Sequence, residues 1–456
     1  MKKIMKYLST GLLTFSLMIM SACSLDTVVD PNNPSLGSVL NNASKAELQT
    51  LVSGLEARHR GYYISATQMF GCFGREVWAY FASDPRFASD WLGVGIPDTY
   101  QDFFASAGTY TTPYQAVKQA NVLIQSVANT GALTAQEASG YNGFAKTIKA
   151  YQLIWPLMQQ YQNGIRVDVE DPLNPGPTLT YPNALAAIRA LLDEARTDLQ
   201  NAGTSFDFDL TNGFTGFNTP AGMIQVNRAI AARLALYAND MPAALTALSA
   251  SFMNLGAATT AALNVGPSHV WGNSPDVENG LYYPRNQVTN TILIAHPALI
   301  EDALPGDGRV PLKFYQRTNL VSSSGIKDAG GNNILGEYQD NRYSGVTSPT
   351  PFIRNEELLL IYAEANIGTN NPLAITTINT IRNIWGVGPY TGPTTNNDIL
   401  EEVLFQRRYS LWAEAGHRWI DLRRTGKLDA AHVDLRDQGN IFTQVAKRTT
   451  ETNWGN

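Results

Sequence analysis

Two stretches of the chain set flat aromatic rings among groups that hold protons or donate hydrogen bonds. EVWAYFASDPRFASDWLGVGIPDTYQDFF carries Trp78, Tyr80, Trp91 and Tyr100 among Asp84, Asp90, Asp98 and Asp102, and HVWGNSPDVENGLYYPRNQ carries Trp271, Tyr282 and Tyr283 beside Asn273, Asn279 and Arg285. Paired carboxylates could act as acid and base in glycoside hydrolysis, but only if two of them flank the scissile bond. Nothing in their spacing brings two together. The five histidines, at 59, 269, 296, 417 and 432, show no metal-ligand spacing and no His-Glu-x-x-His. GVGPYTG follows a predicted helix rather than a strand, so it is not a dinucleotide loop. FDFDLTNG has acids in a calcium-like run but lacks the register and closing Glu of an EF-hand. No catalytic residue, cofactor or metal is expected.

Cys23 has a different chemistry. Lys2, Lys3 and Lys6 precede a mostly apolar run from Leu8 to Met20, too short to span a bilayer, and small residues Ser21 and Ala22 lead to the cysteine. The segment resembles a bacterial lipoprotein signal, with Met20 where Leu is commoner. The resemblance implies cleavage ahead of Cys23 and a thioether-linked lipid on it. Each buried methylene contributes ~0.8 kcal/mol, so two or three acyl chains fasten a protein to a membrane. Loss of residues 1–22 removes three lysines and no acid, making a chain of net charge −6 more acidic still. That balance argues against nucleic acid as a partner. Lipidation of Cys23 leaves Cys72 as the remaining cysteine, without an intrachain partner and expected in the core.

Beyond the signal, residues 23–44 are polar and turn-rich and read as an extended tether. Helical periodicity starts at Lys45, with Leu48, Leu51, Val52 and Leu55 three and four apart. A second helix is predicted over 113–129, and a third from a Thr134/Glu137 capping box to about residue 162, kinked or broken at Pro156. A clean amphipath over 183–200 follows, then a helix–turn–helix pair around Asn239 to Met241 whose alanines allow close approach. The pair resembles a tetratricopeptide unit, which buries its face by stacking on neighbours. Between about 251 and 350 the periodicity fades into Gly, Pro, Asn and large rings, with a small hairpin predicted at IKDAGGNNILGEY. Helices return over 354–368, 372–385 and 397–415. The fold class is therefore mostly α: a tetratricopeptide-like scaffold (about 45–250 and 351–425) with an irregular, loop-rich portion bearing small β-hairpins.

The C-terminal helices carry the most specific pattern. PFIRNEELLLIYAEANIG, through Ile353, Arg354, Glu357, Tyr362, Ala363, Glu364 and Ala365, resembles the SusD/RagB family of outer-membrane nutrient-binding lipoproteins. INTIRNIWG and FQRRYSLWAEAGHRWIDLRRTGKL continue the resemblance in family order, and YTTPYQAVKQANVLI resembles the family's helix with Tyr110, Tyr114 and Asn121. Gln406 and Ser410 stand where the family usually has acids. Ala415 looks like an added residue before Gly416, so the helix should end or bulge there. Physically, the block reads as architecture: Glu414 and Asp421 are placed to pair with Arg418 or its neighbours, while Leu411, Trp412 and Trp419 pack.

The resemblance implies a non-catalytic, lipid-anchored protein on the outer membrane, facing the exterior. It would bind an oligosaccharide on an aromatic arc above the helices and pass it to a SusC-like TonB-dependent transporter. A pyranose offers a flat C–H face to a ring, and its hydroxyls need polar groups at the rim. On that logic the expected ligand-binding residues are Trp91, Tyr100, Trp271 and Tyr283, with Trp78, Asn273 and Arg285. Two other readings share the same residues: a repeat scaffold that binds peptides or proteins, and a surface glycoside hydrolase.

Overall fold

The computed structural model describes residues 36–96, 103–447 and 451. Its first helix, α1 (Leu36–Asn42), occupies the end of the segment read as an extended tether. Val39 and Ala43 are buried there, which gives this short stretch an apolar anchor. Ser44 then caps α2 (Lys45–His59) in a full capping box with Glu47, and Leu48, Val52 and Leu55 face inward as the periodicity predicts. After α3 (Tyr63–Phe73), where Cys72 is buried, come strand β1 (Val77–Phe81) and the short α4 (Arg86–Leu92).

The scaffold continues through α5 (Thr111–Asn129), α6 (Ala135–Gln160), α7 (Tyr181–Gln200), α8 (Pro220–Tyr237) and α9 (Met241–Ser249), each packed on the next. The Thr134/Glu137 capping box opens α6 as predicted. Pro156 does not break it, because every residue from Thr147 to Gln160 is buried. Packing on all sides outweighs the one backbone bond that proline forfeits. Between α8 and α9, Asn239 takes φ 55° and the Asp240 carboxylate caps Ala243.

The predicted irregular portion holds more order than its sequence suggested. Strands β2 (Ile165–Arg166) and β3 (Thr178–Leu179) pair within the scaffold, and β4 (Ser268–His269) pairs with β8 (Thr350–Pro351). Strands β5 (Thr291–Ala295), β6 (Phe314–Val321) and β7 (Gly336–Asp340) join β1 in one antiparallel sheet of order β1-β5-β7-β6. The predicted hairpin is present, with Ile334 N–H donating to Ile326 O and Lys327 bridging Asn333.

Three further helices, α10 (Asn355–Ala365), α11 (Asn371–Ile384) and α12 (Asn396–Ser410), lead to α13 (His417–Arg424). The predicted end of the helix before Gly416 is real: α12 stops at Ser410, and Ala413, Ala415 and Gly416 take φ of 54°, 62° and 77°. The charged signature residues are buried and paired, Asp421 with a neighbour of Arg418 as its spacing suggests and Glu414 with a more distant arginine. Asp421 binds Arg407 at 2.6 Å and Arg424 at 2.8 Å, and Arg424 binds Glu364 at 2.5 Å. Glu414 binds Arg354 at 3.0 Å, from α10's N-terminal end, whereas Arg418 donates to His432 O at 3.2 Å. At the positions where acids were expected, Ser410 Oγ donates to Glu356 Oε1 at 2.5 Å and Gln406 Nε2 to Glu402 Oε1 at 2.8 Å. Glu356 thus lies against Ser410, a carboxylate supplied from the facing helix. These contacts tie α10, α12 and α13 together, an architectural role.

Candidate ligand-binding surface

Past Phe81 the chain turns through Asp84 and Pro85 into α4. Asp84 Oδ1 accepts hydrogen bonds from the Arg86 backbone N–H and Nε, both at 2.9 Å, and Oδ2 accepts from Nη2 at 2.6 Å. These bonds hold the Asp84 carboxyl down to about 2 and fix the guanidinium 4.0 Å above the Phe104 ring. Phe87 meets Phe104 edge-on at 5.1 Å. From beneath, Trp91 Nε1 donates to Phe104 O at 3.1 Å, and Asp90 Oδ2 accepts from Phe104 N–H at 2.9 Å. Phe87 and Phe104 are half-buried, and Phe87 also packs edge-on against Phe81 and Trp91, both at 4.8 Å.

Beside them runs the loop of residues 284–290, joined to the end of β1 by Ala82 N–H to Asn290 O at 2.9 Å. Asn286, at φ 57°, staples this loop to β6: its Oδ1 accepts from the Thr318 and Asn319 N–H groups, and its Nδ2 donates to Thr318 Oγ1. Arg285 lies 5.5 Å over the Tyr315 ring and donates to Asn341 Oδ1 at 2.7 Å. The hairpin of residues 326–334 closes the far side, where Tyr80 Oη donates to Ile334 O at 2.8 Å. Val288 on the first loop, Leu320 on β6 and Leu335 just before β7 stay 85%, 45% and 46% exposed. The result is a surface of half-buried rings, amides and a guanidinium, with exposed aliphatic side chains among them, suited to stacking and hydroxyl recognition.

The expected tryptophans do not form it. Trp78 is wholly buried because β1 is covered on both faces, and its Nε1 donates to Asp437 Oδ2 at 2.8 Å. Trp91 is 2% exposed and acts as the prop under Phe104. Trp271 is 3% exposed, bonded through Nε1 to Thr350 Oγ1 at 3.1 Å and covered by Arg60 at 5.5 Å. Each large ring was expected to face outward; each instead finds a hydrogen-bond partner inside, which is how indole is buried without loss. Tyr283 is half-buried and Arg285 exposed, on the loop just described, whereas exposed Asn273 sits in a separate turn with Asp276, the partner of Arg60. Tyr100 and Cys23 lie outside the described residues. The readings from sequence missed Arg86, Phe87, Phe104 and Tyr315. The signal was present in the Asp-Pro-Arg-Phe turn, but phenylalanine reads as core by composition.

Among the described residues, no group of three or more His, Cys, Asp or Glu side chains is placed to hold a metal ion, and no helix is long and apolar enough to cross a membrane.

Residues 331–455 match the SusD family. No curated protein matches the chain. Among solved structures, NanU of Bacteroides fragilis superposes with a TM-score of 0.62 at 16% identity, over 93% of this chain and 98% of its own. A laminarin-binding SusD-like protein gives 0.63 at 16% identity, over 88% and 96%. Surface glycan-binding protein A from Bacteroides thetaiotaomicron, in complex with laminarihexaose, gives 0.64 at 13% identity, over 90% and 95%. The C-terminal quarter thus matches the SusD family, and over most of its length the chain shares the fold of SusD-superfamily structures.

Proposed function

We propose that the protein is a non-catalytic, glycan-binding lipoprotein of the outer-membrane surface. Cleavage removes residues 1–22, lipid on Cys23 anchors the chain, residues 23–44 join the anchor to the fold, and the domain of residues 45–456 holds an oligosaccharide for delivery to a SusC-like TonB-dependent transporter. The observation that supports this most directly is the pair of half-buried rings Phe87 and Phe104, propped by Trp91 and lying beside Arg86. A sugar face stacks on such rings with ~0.5 to 1.5 kcal/mol each beyond area burial. The likeness to proteins described as binding laminarin and laminarihexaose supports the same class of ligand. Modest affinity suffices, because a tether raises the effective concentration of ligand at the transporter.

Calorimetric titration with a panel of oligosaccharides that includes laminarihexaose, and with peptides, tests this reading. Saturable binding of a glycan without release of smaller products upholds it. Turnover of the glycan, or binding confined to peptides, overturns it.

A further inference from the structure

The loop that carries Arg285 is held more firmly than an exposed connection needs. Gln339, on β7 and wholly buried, accepts from the Asn286 backbone N–H at 3.0 Å and donates to Tyr283 O at 3.0 Å and Pro284 O at 3.3 Å. Arg317, on β6 and 3% exposed, donates to Gln287 O at 2.5 Å and to the Gln339 side chain itself. With the Asn286 staple to β6, these bonds fix the backbone at residues 283, 284, 286 and 287, while the side chains of Arg285 and Val288 stay exposed. Surface loops are ordinarily the mobile part of a fold. One braced from beneath by buried polar groups is built to hold a side chain in place.

The brace brings an uncompensated charge with it. Arg317 gives its hydrogen bonds to the oxygens of Gln287, Asn319 and Gln339, and no carboxylate is bonded to it among the described residues. Burial holds its guanidinium below the ordinary range, the direction expected of a cation without a counter-charge. Arg285 adds a second positive charge to the same loop. Its Nε donates to Asn341 Oδ1 at 2.7 Å and its guanidinium lies 5.5 Å over the ring of Tyr315, two residues along β6 from Arg317. Nη1 and Nη2 of Arg285 meet no acceptor among the described residues, and neither arginine has an ion pair there. Arg86, beside the two phenylalanines, is by contrast matched by Asp84. An anchored guanidinium with both terminal nitrogens unused, on a loop backed by a second unmatched cation, is a receptor for an anionic oxygen group.

We propose that the ligand of the loop surface is an acidic oligosaccharide, with a carboxylate or sulfate of one sugar residue received by Arg285. This rests on the reading of that surface as glycan-binding and narrows its ligand. Both anions offer paired oxygens to the guanidinium fork. The rings serve the sugar face, and Arg285 selects for charge.

Calorimetric titration with uronate-containing and with sulfated oligosaccharides, each beside its carboxyl-reduced or desulfated form, and with laminarihexaose as a neutral reference, tests it. At least one acidic oligosaccharide should bind about tenfold more tightly than its neutralised form, and the difference should shrink as salt rises. Whether the uronate or the sulfate does so names the group. Arg285→Gln should remove the preference but leave affinity for the neutralised form and Tm unchanged, because the side chain is exposed. A neutral glycan that binds as tightly as every acidic one, or an acidic preference that survives Arg285→Gln, overturns the proposal and leaves the glycan reading standing. Binding of no glycan at all overturns both.

Discussion

Arg233 and Glu357 meet side-on in the core, Nε donating to Oε1 and Nη2 to Oε2, both at 2.6 Å, with the two side chains 1% and 2% exposed. They come from α8 and α10, helices on opposite sides of the irregular portion in sequence. Arg233 Nη2 also donates to Phe352 O at 2.7 Å. A planar guanidinium can serve carboxylate and carbonyl together, which lysine cannot. One residue thereby joins the two runs of helices into a single scaffold beneath the sheet and its loops.

Removing the arginine alone should be costly. Burial by itself would raise the Glu357 carboxyl; Arg233 more than offsets this and holds it down to about 2. Arg233→Met strands that carboxylate in the core, and urea unfolding should show a loss of about 3 to 5 kcal/mol. A loss below about 1 kcal/mol, the range of an exposed pair, would mean that water reaches Glu357 freely.

The opposite sign applies to Glu76. Neither of its carboxylate oxygens has a hydrogen-bond partner among the described residues. Burial pushes its carboxyl up to about 8 despite Arg418, Arg408 and Lys313 nearby. The folded state therefore binds a proton that the unfolded chain releases, and Glu76 costs stability as pH rises from its ordinary value of 4.5 to about 8. Glu76→Gln should match the wild type near pH 5 and exceed it in Tm at pH 8. Lys313, pushed down to about 7 by burial, contributes the reverse slope above that pH, so the contrast between pH 5 and pH 8 is read as the difference between variant and wild type at each pH. A variant less stable at pH 8 than at pH 5, relative to wild type, would show that Glu76 is ionised and held by a partner of opposite charge.

The scaffold was legible in sequence because its signals are local. The capping box at Thr134 and the apolar stripes of α2, α5 and α7 depend on residues within one or two turns. The sheet was not, because β1 and β5 pair across more than 200 residues, Val77 with Ala295 and Phe81 with Thr291, and neither strand alternates apolar with polar. Burial on both faces removes the period that marks a strand. The same burial explains the tryptophans. Ring size pointed to these stretches, but which ring faces out depends on Asp437 and Thr350, remote partners that draw Trp78 and Trp271 inward. The smaller rings beside them were left to form the surface.

If Phe87 and Phe104 are the stacking platform, each should answer to truncation separately from fold stability. Phe104→Ala and Phe87→Ala are expected to weaken glycan binding about 2- to 12-fold each, the factor that ~0.5 to 1.5 kcal/mol represents. Trp91→Phe keeps a ring in the core but removes the 3.1 Å bond to Phe104 O. It should weaken binding less than either truncation, because both platform rings remain in place. Full affinity in the Phe87→Ala, Phe104→Ala double variant, with its Tm unchanged, would move the site off this surface.

Thiol reactivity reads the anchor and the core in one experiment. Cys72 is fully buried, and burial pushes its thiol up to about 12, leaving almost no thiolate at neutral pH and no path for a reagent. If Cys23 carries a thioether-linked lipid, protein extracted from membranes should show no reactive thiol when native and one in urea. Without that lipid, mature protein that begins at Cys23 should show two thiols in urea instead of one. The count in urea therefore separates an acylated Cys23 from a free one. An increment of zero on unfolding would mean that Cys72 is accessible in the folded chain, against its buried place on α3.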